Sequence, residues 1–315
     1  MQWDIESVKG IYMEYSIYKL DFQTGVHFGN GMLNDSAYTF LADQIFSALF
    51  IEALKLGQHK EFYDMVKGGK VLFSDTFPYI GKQYMVPKPM VYIEPVERGK
   101  SDQKKQMKKL KYLLIEDMES YLNGTLELTS DIYKNGFGQF VQQTMASVSG
   151  EEETKPYRVG TFYFKKNCGL YVIVAYQTSE ECILVEDLFE ALSYTGIGGK
   201  KSIGLGKFTF RKAKIPEELL RRLKDNGGRQ MLLSVALPRD EELDEVLEKA
   251  SYQLDKRSGF AASETYAEEW RRKRDLYVLM AGSCFEQRFE GDIYDVSDGG
   301  NHSVYRYAKA LLMEV

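Results

Sequence analysis

Apolar and polar positions change their period several times along the chain, and each change marks an element. Residues 11–22, IYMEYSIYKLDF, alternate imperfectly and are rich in Tyr and Ile, which predicts a first strand. Residues 25–38, GVHFGNGMLNDSAY, combine three glycines with Asn-Asp-Ser turn chemistry and predict a loop. Over 39–56 the apolar positions Leu41, Ile45, Leu49 and Ala53 recur every four residues, the stripe of a core-facing helix that Gly57 stops. Residues 70–95 read as short extended pieces broken by prolines. Residues 98–113 read as a helix with Lys100, Lys104 and Lys108 on one face, a solvated surface or a phosphate-contacting one. Residues 123–156 contain Gly124, Gly136, Gly138 and Gly150 and predict a long irregular insertion.

Order returns at 157–176, where VGTFYF and GLYVIVAY predict two strands separated by the turn KKNCG. Residues 180–194 form an amphipathic helix through Leu184, Leu188 and Leu192. The stretch YTGIGGKKSIGLGK (194–207) follows and runs into a strand carrying Phe208 and Phe210. Strand, helix, two strands, helix, strand is the split βαβ order of a ferredoxin-like or RRM-like unit. A weaker copy follows: strand 231–238, short helix 240–250, extended 251–263, strands within 274–289, and a closing strand in 304–315. The chain therefore predicts an α+β fold of two ferredoxin-like (RRM-like) domains in tandem, 1–213 and 230–315. The first carries the insertion, the second is degenerate, and 214–229 links them.

With 315 residues, 44% of them apolar, each half can bury a core. The net charge of −5 argues against indiscriminate coating of nucleic acid but leaves room for a local basic groove. No apolar run reaches the roughly 18 residues of a membrane helix. The N-terminus, MQWDIESVKG, lacks a signal peptide's apolar region, so a cytoplasmic protein away from membranes is expected. Cys168, Cys182 and Cys284 are far apart, and His27, His59 and His302 form no HxxxH or HxH pair; neither metal nor cofactor is expected.

The glycine stretch fails both nucleotide patterns. In a Walker A loop Gly-Lys is followed by Ser or Thr and a helix, whereas Gly199-Lys200 is followed by Lys201 and then a strand. A Rossmann GxGxxG fails because no helix opens after it. A backbone free to approach a ligand closely remains, with Lys200, Lys201 and Ser202 at its tip, suited to a chain of phosphates. A plain tight turn between helix and strand remains equally open. No segment matches the RNP1 aromatic pattern, so base stacking on an RRM-type sheet is not expected.

GIGGKKSIGLGKF (196–208) resembles the glycine-rich loop of the RAMP superfamily of CRISPR proteins. ADQIFSALF (42–50), SDTFPYI (74–80), VPKPM (86–90), PYRVGTFYF (156–164), YQLDKRSGF (252–260) and VYRYAKALL (304–312) narrow the resemblance. Together they resemble the subunit that caps the crRNA 5′ handle in type III-A (Csm) effector complexes. The resemblance implies two ferredoxin-like domains and a non-catalytic, crRNA-binding role in antiviral defence. It also implies contact with the large polymerase/cyclase-like subunit and the first backbone RAMP subunit, and target RNA nearby. It places Gly196, Gly198, Gly199, Lys200, Lys201, Ser202, Gly204 and Gly206 against handle phosphates. Arg257, beside Ser258-Gly259, is a second phosphate candidate, and His27 a third, in the loop after the first strand. For each, an ordinary structural role stands beside the functional one. Asp43, at the start of the first helix, reads as structural, and the run Arg271 to Arg274 as a solvated face. The pattern departs at Ala308, where the family leads one to expect glycine.

Two other functions stay in view. A metal-independent crRNA-processing endoribonuclease would need an acid and a base, and His27 has no evident partner. A cyclase or polymerase palm would need paired carboxylates, for which SDGG at 297–300 is the nearest stretch.

Overall fold

The computed structural model describes residues 12–94, 101–128, 132–133, 136–147, 155–261, 263 and 265–315. Strand β1 (Glu14–Phe22) leads into a short hairpin, β2 (Phe28–Asn30) and β3 (Met32–Ala37), where the sequence suggests only loop. Helix α1 (Ala42–Leu56) opens with Gln44 Oε1 accepting the Leu41 N–H at 2.9 Å and Asp75 Oδ1 accepting the Ala42 N–H at 2.8 Å. It stops at Gly57, whose φ of 73° lets its own N–H turn back onto the last carbonyls. Helix α2 (His59–Lys67) packs Phe62, Met65 and Val66 inward and has no counterpart in the sequence expectations.

The proline-broken segment gives β4 (Val71–Phe73), β5 (Phe77–Ile80) and β6 (Gln83–Pro87). Helix α3 (Ser101–Lys109), strand β7 (Tyr112–Leu114) and helix α4 (Met118–Leu122) follow; Lys100 and the side chain of Lys104 lie outside what is described. Within the expected irregular insertion lies a strand: β8 (Gly138–Ser147) pairs along its whole length with β9 (Lys155–Phe164). Strand β10 (Cys168–Tyr176) is buried at all nine positions, which explains its unbroken apolar run. Helix α5 (Ser179–Thr195), strand β11 (Phe208–Ala213) and helix α6 (Glu217–Lys224) complete this half. The presumed linker is thus partly a helix, with Leu219, Arg222 and Leu223 buried.

The main sheet runs β11-β1-β10-β5-β6-β7, with β4 also paired to β10. The neighbours of β10 are therefore β1 on one edge and β4 and β5 on the other, not the consecutive strand β9. The four-residue run Lys165-Lys166-Asn167-Cys168 turns the chain without pairing β9 to β10: one edge of β9 is bonded to β8, and on the other Phe162 bridges Val26. One sheet face, through Tyr18, Leu20, Val172 and Val174, packs against α1 and α5. The other face, through Ile17, Tyr171 and Ile173, is covered by Met118, Leu219 and Leu223, and by Met231 and Met313 from the end of the chain. Both faces are occupied by the chain itself, which agrees with the missing RNP1 aromatics.

The C-terminal half contains β12 (Gln230–Leu232), α7 (Leu243–Leu247), β13 (Leu254–Arg257), β14 (Leu276–Leu279) and β15 (Cys284–Phe285). Strands β16 (Gly291–Asp295), β17 (Tyr305–Lys309) and β18 (Leu312–Glu314) end it. Strand β12 lies between β15 and β18, while β13 pairs β14 and β16 pairs β17. The halves share their cores. Tyr307 of β17 sits in the cluster of α1, and its hydroxyl accepts the Phe73 N–H at 3.0 Å. Ala308 is fully buried beside it, and its carbonyl accepts the Leu237 N–H at 3.0 Å. The described residues contain no helix long and apolar enough to cross a membrane.

Candidate nucleic-acid interface

Helix α5 ends at Gly196, whose φ of 79° turns the chain away while its N–H still bonds to Leu192. The loop then folds back on the segment after β1. Gly206 N–H donates to the Gly25 carbonyl at 2.9 Å, Ile197 N–H to Gly206 at 3.0 Å, and Gly199 N–H to His27 at 2.8 Å. Gly206 has a φ of 77°, and a Cβ there would sit 1.9 Å from the Ile197 carbonyl oxygen. Glycine is obligatory at that position because of the protein's own backbone. At Gly199 a Cβ would lie 2.8 Å from the His27 ring.

His27 is buried. Its Nδ1 donates to the Gly160 carbonyl at 2.7 Å, fixing the imidazole between β9 and the loop. The structure thus brings His27 and the glycine loop together, as a support and what it supports. Gly160 was not foreseen, although a lone glycine inside PYRVGTFYF signals close backbone approach. A Cβ on Gly160 would meet the Asn34 carbonyl oxygen at 2.6 Å.

The tip of the loop differs from its base. Lys200 has a φ of 59°, and a 3-10 turn follows over Lys201–Ile203. Among the described residues, the N–H groups of Lys200, Lys201 and Ser202 have no acceptor. Successive free amides in a left-handed then right-handed turn form a concavity suited to an anionic oxygen. Lys201 and Ser202 are exposed. The Lys200 ammonium lies 4.9 Å over the Tyr157 ring, a second residue that sequence reasoning missed.

A cavity of about 790 Å³ opens between the two halves, bordered by Gly29 and by Phe28, whose ring lies against Gly198 at the base of the loop. Tyr38, Phe77, Tyr112 and Phe140 give it aromatic walls, and Lys88, Lys111 and Arg257 give it cations. Arg257 is committed elsewhere: Nε and Nη2 bind the two Asp43 oxygens at 3.0 and 3.1 Å, and Nη1 binds Asp255 at 3.1 Å. Asp43 also pairs with Arg306 of β17, so one buried carboxylate ties α1 to β13 and β17. Asp75, on the cavity floor, accepts N–H groups from Ala42 and Val235. Burial nevertheless pushes its carboxyl up to about 7. Among the described residues no cluster of His, Cys, Asp or Glu is placed to hold a metal.

The loop is laced to its own sheet at the base and open at a cationic tip, and the chain is similar to RAMP-like CRISPR subunits. The family model for the CRISPR Csm4 C-terminal domain matches residues 225–315. A Csm4 protein of Mycobacterium tuberculosis is 36% identical over 303 residues, covering 96% of this chain and 98% of the relative. A Csm4 protein of Streptococcus thermophilus is 36% identical over 312 residues, covering 96% and 99%. A crystal structure of a Csm3–Csm4 subcomplex from a type III-A interference complex contains a chain of similar fold. Its TM-score is 0.65 at 18% identity, covering 95% of this chain and 99% of that one. The chain belongs to the Csm4 family.

Proposed function

We propose that the protein is a non-catalytic crRNA-binding subunit of a type III-A CRISPR effector complex. It holds the repeat-derived 5′ handle and joins the large polymerase/cyclase-like subunit to the backbone RAMP subunit, with target RNA nearby, in cytoplasmic antiviral defence. One observation carries the reading: a loop whose base is fixed by its own hydrogen bonds presents two lysines at its tip and three amides with no acceptor among the described residues. Family members crystallised as a Csm3–Csm4 subcomplex and as a Csm1–Csm4 cassette support the two neighbours. In this reading the handle backbone lies along Gly196–Gly206, and the adjoining aromatic cavity takes its bases. His27 supports the loop from beneath, and Arg257 faces the cavity with most of its donors already engaged. The order β11-β1-β10-β4 supports a ferredoxin-like first unit, with the C-terminal half as its degenerate copy.

Replacing Lys200 and Lys201 by Ala tests the assignment in the complex reconstituted with crRNA. Each lysine is one phosphate contact among several, so handle affinity falls about tenfold while the fold stands. Undiminished crRNA retention would remove the loop from the interface. Incubation of the pure chain with repeat RNA in EDTA leaves the RNA intact; site-specific products would instead support an endoribonuclease.

A further inference from the structure

Beyond β13 and β14 the ribbon continues, and its outward face is unlike the rest of the surface. Phe260 stands opposite Arg272, Lys273 N–H donates to the Gly259 carbonyl at 3.0 Å, and Ala261 N–H to Arg271 at 3.0 Å. The inner side is anchored by Arg257 on Asp43 and by buried Val278. On the outer side Trp270 is 85% exposed, Tyr277 56% and Phe260 49%. The Phe260 and Trp270 rings meet edge to face with centroids 5.9 Å apart, and the Arg272 guanidinium lies 6.0 Å from the Phe260 ring.

Among the described residues Arg271, Arg272 and Arg274 make no ion pair; Arg271 and Arg274 donate to the carbonyls of Gly299 and Asp295. Lys256, beside Tyr277, is the cation of this face with a carboxylate, Asp275, at 2.7 Å. The Arg272 guanidinium beside the Phe260 ring, with the exposed rings around it, suits a ligand that is both anionic and flat-faced. A protein partner supplies carboxylates but not a series of plates. An unpaired nucleic-acid strand supplies both, phosphates for Arg272 and bases for the rings.

We propose that the outward face of this ribbon, through Phe260, Trp270, Arg272 and Tyr277, is a second, sequence-tolerant binding site for an unpaired nucleic-acid strand. These four side chains line neither the glycine loop nor the cavity beside it, so the inference stands apart from the handle-binding reading. Trp3 and Trp270 are the two tryptophans. In a Trp3→Phe background of the full chain, Trp270 fluorescence therefore reports stacking directly. Titration with oligouridine and with oligothymidine should quench it, and the two arms show whether RNA or DNA is preferred.

Trp270→Ala and Arg272→Ala should each weaken binding about tenfold. The Lys200→Ala, Lys201→Ala variant should keep the quenching. Absent quenching, unchanged affinity in Trp270→Ala, or quenching lost with the two lysines would overturn the proposal. So would a Trp270→Ala chain that binds both strands normally but fails to join its partner subunits, since the face would then be a protein interface. Loss of handle binding in the lysine variant with quenching intact would leave both sites standing.

Discussion

Two segments read alike in the sequence, Gly199-Lys200-Lys201-Ser202 and Arg257-Ser258-Gly259, each a cation beside a serine and a glycine. In the folded chain they are opposites. The first has exposed charge and, among the described residues, amides with no acceptor, on a base fixed by main-chain bonds. The second has its guanidinium held by Asp43 in a buried network that spans both halves of the chain. A basic residue next to glycine is available to a phosphate only where no carboxylate of the protein reaches it first. Local sequence cannot report that, because Asp43 lies 214 residues away from Arg257.

The largest test of this contrast is Asp43→Ala. It leaves Arg257 and Arg306 buried beside one another without their shared carboxylate, and should cost about 3–5 kcal/mol of stability. Urea unfolding checks it; a loss below about 1 kcal/mol would mean that the pair is not a structural tie.

Asp75 gives a smaller, pH-dependent effect beside the same network. Its folded carboxyl is raised to about 7 by burial, from an ordinary 3.8. The fold therefore favours the protonated form. This contribution is complete below the ordinary value and is lost as pH rises through about 7, at no more than about 1.4 kcal/mol per pH unit. Asp75→Asn keeps an acceptor oxygen for Ala42 and Val235 but cannot ionise. Between pH 5 and 8 the wild type should lose stability relative to that variant; parallel pH profiles would place the charge change elsewhere.

At the loop the effect on stability should be smallest. Lys200→Ala with Lys201→Ala should leave the unfolding midpoint unchanged, while the salt dependence of RNA binding falls by about two counterions. A midpoint shift comparable to that of Asp43→Ala would erase the contrast between the two regions.

Much of this was legible in the chain. The four-residue apolar period of α1, the Leu184-Leu188-Leu192 stripe of α5 and the apolar run of β10 each specify an element through local packing alone. The glycine loop was legible as a place of close approach. Strand β8 was not, because its run of Gln142, Gln143 and Thr144 lacks the alternation of a half-buried strand. Helix α6 was hidden for another reason: its short stripe matters only against the sheet face it covers. For the loop, sequence named the residues but not their division of labour. Gly206 answers to Ile197 and Gly199 to His27, and only the tip faces outward.

The sequence by itself determined helices α1 and α5, the buried central strand and the loop whose glycines permit positive φ, because these follow from side-chain period and backbone sterics over a few residues. Tertiary structure alone decided which cations are free. Pairing of Asp43 with Arg257 and Arg306, the seating of His27 under Gly199, and the exposure of Lys201 and Trp270 depend on which distant segments meet. Electrostatic compensation acts through space and not along the chain.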